Sequence, residues 1–335
     1  RLSRKHGHRH AADVPMTKWL AALIVSVAAA IAAALYATAD TEAYVWDRLT
    51  EHAPYAGNYN YPVHVAPDGR FIALHPDGTW ASRDGAKWTK TAMPFSGMNS
   101  AYLSYVQHEG ATWALGKLKG NYLDFQIDPV IQRTRDYEKW EQVGASSSLP
   151  HAIFYATASF KGSLWIVGGY NGNKVTSEVW NSQDGLVWTR VVDQAPWSAR
   201  SGAKIVIFRN KMFLIGGGVI DGLQANDVWS SADGVTWTRE ADQIAPEKPM
   251  GTPFVYDNKL WLVGANRSGT FESGMAVSDD GKTWRKQSAP WSPRGGVAAW
   301  TNGPDLFITG GKYSYEKAGE PVFVYSNDVW RMRRK

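Results

Sequence analysis

The stretch "SADGVTWT", Ser231 to Thr238, returns almost unchanged as "SRDGAKWT" at Ser82 to Thr89, "SQDGLVWT" at Ser182 to Thr189 and "SDDGKTWR" at Ser278 to Arg285. With Trp140 in the degenerate "RDYEKWEQ", the tryptophans at 88, 140, 188, 237 and 284 stand 52, 48, 49 and 47 residues apart. A period of that length marks a repeat array and matches one four-stranded propeller blade.

Working outward from each tryptophan exposes a second signal, an apolar strand ending in glycine. It reads "LWIVGG" at Leu164 to Gly169, "MFLIGGG" at Met212 to Gly218, "LWLVGA" at Leu260 to Ala265 and "LFITGG" at Leu306 to Gly311. An alternating strand and a tight turn precede it, as in "AKIVIFRNK" or "PFVYDNK", and across the repeats Asn, Gly and Asp supply hairpin backbone freedom. A third strand follows, "SEVW" at Ser177 to Trp180 or "NDVW" at Asn226 to Trp229. The units fall at about 57–93, 98–145, 150–196, 199–246, 249–290 and 294–335. The last lacks a fourth strand, and "EAYVWDRLTEHAPY" carries Trp46, 42 residues before Trp88. Residues 42–50 are therefore expected to close the last blade and remove exposed sheet edges. The expected fold is all-β, a six-bladed β-propeller of four-stranded antiparallel blades preceded by one N-terminal transmembrane α-helix.

In these motifs the chain resembles the kelch family, whose blades carry a diglycine after the second strand and a tryptophan in the fourth. It also resembles the Asp-box of sialidase-like propellers, where Ser or Thr, Asp, Gly and an aromatic residue form the turn between the third and fourth strands. Neither likeness specifies a reaction. Asp84, Asp184, Asp233 and Asp280 are expected to accept local backbone N–H groups as structural turns, not to act as catalytic acids. The periodic tryptophans are expected in the core between blades.

The +5 net charge of the 335 residues is concentrated in two basic tails. Residues 1–18 and the last five residues each carry about +4, leaving the body between them at about −3. Such a body has no general attraction for phosphate backbones, so nucleic acid is not an expected partner. The chain has no cysteine, which excludes disulfides, thiolate nucleophiles and zinc–thiolate sites.

"WLAALIVSVAAAIAAALYA", Trp19 to Ala37, runs 19 residues without a charge, close to what about 30 Å of hydrocarbon requires. Basic residues before it and Asp40 and Glu42 after it predict a single-pass anchor of a bacterial inner membrane, N-terminus cytoplasmic and propeller periplasmic or extracellular. The competing reading is a cleaved secretory signal, since Ala37-Thr38-Ala39 has the small-x-small form. Ala22, Ser26, Ala30 and Ala34 form a ladder of small residues suited to packing on a partner helix.

Two stretches break the repeat. Blade two replaces its diglycine and Ser–Asp–Gly turn with a region dense in charge and aromatics. There Lys117, Lys119, Tyr122, Asp124, Phe125, Arg133 and Arg135 are candidates for a loop that meets a partner. Blade six has a similar excursion, "KYSYEKAGEPVFVYSN", at Lys312 to Asn327.

No catalytic constellation emerges, and no cofactor or metal is expected. A galactose-oxidase-like site would need a cysteine. A sialidase needs an arginine triad with an Arg-Ile-Pro signature, whereas Arg200 and Arg294 occupy repeat-equivalent positions better explained by repeat ancestry. His6, His8 and His10 sit in a basic tail that suits lipid headgroups or an acidic protein surface. The expected function is a non-catalytic, membrane-anchored accessory subunit whose propeller docks on other membrane-protein subunits, with a respiratory or photosynthetic assembly as the leading expectation. The alternative is a surface carbohydrate-binding protein or sialidase-like glycosidase. A weaker third reading is an envelope-assembly factor. A channel lined by convergent carboxylates and arginines would favour the carbohydrate reading, and an apolar plug the subunit.

Overall fold

The computed structural model describes residues 43–94, 102–121, 123–218, 224–244, 251–264, 266–267, 270–271 and 273–335. Six antiparallel four-stranded sheets form a six-bladed propeller, numbered here as blades 1 to 6 in the order of their first strands. Blade 1 begins at Val63–Val65, blade 2 at Tyr105–His108, blade 3 at Ala156–Phe160, blade 4 at Lys204–Phe208, blade 5 at Thr252–Tyr256 and blade 6 at Ala298–Asn302. These first strands are neighbours round the ring, from blade 2 through blade 6 to blade 1. No helix of the described residues is long and apolar enough to cross a membrane. The 19–37 segment, with Ala22, Ser26, Ala30 and Ala34, lies outside them.

Blade 6 is built from both ends of the propeller. Ala298–Asn302, Asp305–Thr309 and Val329–Arg334 form its first three strands, and Tyr44–Thr50 is the fourth. Tyr44 pairs with Arg334, Trp46 with Met332 and Arg48 with Trp330.

Each Ser-x-Asp-Gly turn is a closed local hydrogen-bond set. Ser231 Oγ accepts the Gly234 N–H at 2.7 Å, Asp233 Oδ1 accepts from Val235 and Thr236 at 2.8 and 2.7 Å, and Trp237 Nε1 donates to the Gly234 carbonyl at 3.1 Å. Asp84, Asp184 and Asp280 repeat the pattern. These bonds explain the side-chain chemistry: the Thr236, Lys87 and Val187 amides hold the carboxyls of Asp233, Asp84 and Asp184 below their ordinary range, Asp233 at about 2. A depressed folded-state pKa adds stability above the unfolded value that disappears as pH falls through the folded value. The unfolding midpoint should therefore drop between about pH 4 and pH 2. Replacing all four aspartates with asparagine keeps an acceptor oxygen but removes the titration, so the drop should flatten. An unchanged thermal-unfolding profile would assign the acid sensitivity to other carboxylates.

The turn glycine also sets the blade spacing. A Cβ on Gly185 of blade 3 would come within 2.9 Å of the Trp113 ring of blade 2, and one on Gly234 of blade 4 would strike Trp165 of blade 3. Gly281 meets Phe213 and Gly85 meets Phe307 in the same manner. Each turn thus seats on an aromatic ring from the second strand of the preceding blade, while Trp88, Trp188, Trp237 and Trp284 are buried beside it.

Blade 2 corrects the expectation that its turn is missing. Thr134 Oγ1 accepts the Tyr137 N–H at 3.0 Å and Asp136 Oδ1 accepts from Glu138 at 2.9 Å, so Thr134–Tyr137 is the same turn with Tyr137 in the glycine place. Tyr137 takes the left-handed conformation at φ 60 and is 3% exposed. It fits because blade 1 offers Ile72, not an aromatic ring, and Tyr137 packs with Ile72, Leu74, Ala66 and Met93.

Candidate functional site

The two ends of the ring differ. One end carries tight turns between first and second strands and the Ser–Asp–Gly turns. The other, the loop face, carries every connection between second and third strands and every passage between blades. Long connections on a rigid scaffold are where binding residues concentrate.

In blade 2 the second and third strands extend to ten residues each, Ala111–Gly120 and Phe125–Thr134, and project as one hairpin. The residues singled out there do not form one surface. Lys117 and Lys119 lie near the hairpin tip, with Lys119 Nζ 4.0 Å from Asp128, and Asp124 is exposed at the tip. Phe125 is buried, stacked on the His151 ring at 4.8 Å, and so anchors the hairpin instead of meeting a partner. Arg133 and Arg135 lie at the opposite end of the strand, both tied to Glu141, with the Arg133 guanidinium over Trp113. Lys119 pairs with Gln126, seven strand positions from Arg133, or about 23 Å at about 3.3 Å each. Tyr122 lies outside the described residues. Leu123, 74% exposed at the tip, belongs with Lys119 and Asp124 and was not among the expected residues.

Blade 6 carries a second projection, the two-stranded hairpin of Lys312–Lys317 and Glu320–Tyr325. Tyr315, Phe323 and Tyr325 are 48%, 49% and 44% exposed. Lys312 Nζ sits 4.0 Å from the centre of the Tyr59 ring and 5.3 Å from that of Phe323, tying the hairpin base to the start of blade 1.

Between the first strands a cavity of about 260 Å³ occupies the channel end nearer the loop face. Its walls include Asn60, His64, Ser104, Tyr105, Thr157 and Lys204, and none of its lining residues is acidic. His64 Nδ1 lies 3.0 Å from Thr112 Oγ1, and burial pushes its pKa down to about 4, so it is neutral at ordinary pH. Burial likewise pushes the Lys204 ammonium below its ordinary range.

Arg200 and Arg294 are engaged within their own blades. Arg200 Nη1 and Nη2 grip Asp227, while the remaining N–H groups go to the Ser198 carbonyl and hydroxyl and the Gly216 carbonyl. Arg294 is held identically by Asp328, Ser292 and Gly310. A guanidinium has five N–H donors, and all five are used in each case. These are clamps joining the start of a blade to its own second and third strands. Asp227 and Asp328 also accept the indole N–H groups of Trp229 and Trp330 at 2.8 Å. Among the described residues no three His, Asp or Glu side chains converge as a metal site. Residues 6, 8 and 10 lie outside them.

Six four-stranded blades, a closing strand shared between distant parts of the chain and a loop-bearing channel mouth define a six-bladed β-propeller. Residues 22–247 match the family described as the DUF6242 beta propeller domain, and the chain belongs to that family. It is similar in fold to the solved structure of YjhT, with 14% sequence identity over 82% of this chain and 99% of that one, and a TM-score of 0.62. No curated protein matches the sequence.

Proposed function

We propose that the propeller is a non-catalytic docking module, held at a membrane by the 19–37 segment, whose loop face contacts other membrane-protein subunits. The observation that carries this reading is the blade-6 hairpin. It stands outside the four-stranded sheet and presents Tyr315, Phe323 and Tyr325 to solvent. Phe323 and Tyr325 share one face of the hairpin and Tyr315 lies on the other, so both faces carry exposed aromatic surface, the residue type enriched in protein contacts. The kelch-like and Asp-box-like repeats supply the rigid ring beneath, and the saturated Arg200 and Arg294 weigh against the sialidase-like alternative.

Purification in mild detergent followed by mass spectrometry tests the proposal. Membrane-protein subunits should co-purify in fixed ratio with the native chain and be lost from a Tyr315→Ser, Phe323→Ser variant whose thermal midpoint is unchanged. Recovery of the native chain as a lone monomer would refute it.

A further inference from the structure

The first strands of blades 3 to 6 enter the channel at matching places. Ala156, Lys204, Thr252 and Ala298 pair with Val167, Ile215, Val263 and Thr309, in each blade the residue just before the glycine that ends the second strand. Three of the four are small or short, and the fourth is a lysine. Alanine and threonine therefore meet the structural demands of this position, and a lysine there needs another explanation.

Lys204 makes no hydrogen bond or ion pair with any described residue, and burial disfavours its charged form. An ammonium half-buried in a channel wall with no partner among the described residues carries part of the cost of leaving water. Repeat proteins tolerate such a cost where the group has a task other than folding. Among the described residues the surroundings are matched to negative charge: none of those lining the cavity is acidic and His64 is neutral. The first strands are edge strands on the channel side, so part of their backbone N–H groups face the cavity unpaired within the sheet. The Thr157 hydroxyl and the Asn60 amide add polar groups to the same wall.

We infer that the channel end nearer the loop face binds a compact anion, a carboxylate or phosphate group carried by a small molecule, with Lys204 Nζ as its counter-charge. The cavity of about 260 Å³ lies near the lower limit of roughly 300 Å³ for ordinary ligand pockets, a size that suits a small anionic group.

The test uses the 335-residue chain in mild detergent, titrated with inorganic phosphate and, separately, with lactate at constant ionic strength. One of the two probes should raise the thermal midpoint and shift the Lys204 Nζ resonance, with an upward move of its titration midpoint. Protection by phosphate alone assigns a phosphate ligand, and by lactate alone a carboxylate. Lys204→Met should keep the thermal midpoint of the anion-free chain within a few degrees and should lose at least tenfold in affinity for the active probe. Lys204→Arg should retain binding. The inference is overturned if neither probe protects the native chain, or if protection persists in Lys204→Met. The blade-6 hairpin lies outside this cavity, so the co-purification result above is decided independently.

Discussion

Removing Tyr44–Thr50 is expected to unfold the whole propeller rather than trim one blade. Tyr44 is buried against the edge of Trp261 in blade 5, ring centres 5.3 Å apart, and its hydroxyl donates to Asp257 at 2.6 Å. Trp46 meets the Trp291 ring edge-on at 4.5 Å, Asp47 pairs with Arg331 and Arg333, and the Arg48 guanidinium lies over Trp330. Burying each aromatic side chain stabilises by about 1.5–3 kcal/mol, and the deletion would also bare Trp261, Trp291 and the ladder of Val329–Arg334. The loss should reach at least about 5 kcal/mol, comparable with the whole stability of many domains. Blade 5 is involved because blade 6 has no Ser–Asp–Gly turn to rest on Trp261, and Tyr44 takes that role. Urea unfolding of the deletion should show a lost or strongly shifted transition. An unchanged midpoint would mean that the ring is held without this strand.

The second large effect is expected at the junction of blades 1 and 2. Tyr137→Gly empties a buried site beside Ile72 and removes the hydroxyl bonded to Thr112 Oγ1 at 2.8 Å. Deleting a buried aromatic costs about 3–5 kcal/mol, offset by about 1 kcal/mol as glycine relieves the left-handed backbone. Ile72→Trp alone should also destabilise, by about 1–3 kcal/mol or more, since its ring would collide with the Tyr137 side chain. Together the two changes recreate the pairing of ring and glycine found at the other turns. The double variant should therefore be more stable than the sum of the single costs by about 2 kcal/mol or more, read from a denaturant double-mutant cycle. Strict additivity would show that the two positions are not exchanged partners.

The ring was legible because the Trp88, Trp188, Trp237 and Trp284 turns repeat with almost fixed wording. Each turn satisfies its own hydrogen bonds, so its sequence depends little on the rest of the fold. Tyr137 does not match the motif because the other turns carry glycine there, whereas the backbone requires only a positive φ that a well-packed tyrosine can hold. Its compensating change lies at Ile72, far along the chain, where no local pattern reveals it. Lys204 was hidden for a related reason: it opens an otherwise apolar strand, and only alignment of first strands sets it against Ala156, Thr252 and Ala298. Arg200 and Arg294 were visible as repeat positions, but their complete use of donors depends on Asp227 and Asp328 arriving from the third strand of the same blade. The blade-2 candidates are close in sequence but not in space. A ten-residue hairpin spreads such a group over both ends of the molecule.

The closing pair of blade 6 also fixes an order of events during synthesis. Asp47 and its partner Arg331 are separated by 284 residues, so Tyr44–Thr50 is made before five blades and its pairing strand after them. At about 5–20 residues per second, this strand waits roughly 15–60 s for its match. Throughout that interval Tyr44 and Trp46 have no final place to go, and an unpaired strand is open to pairing with another nascent chain. The ribosome thus delivers the lock first and the latch last, which makes the time before closure the period of greatest exposure to misassembly.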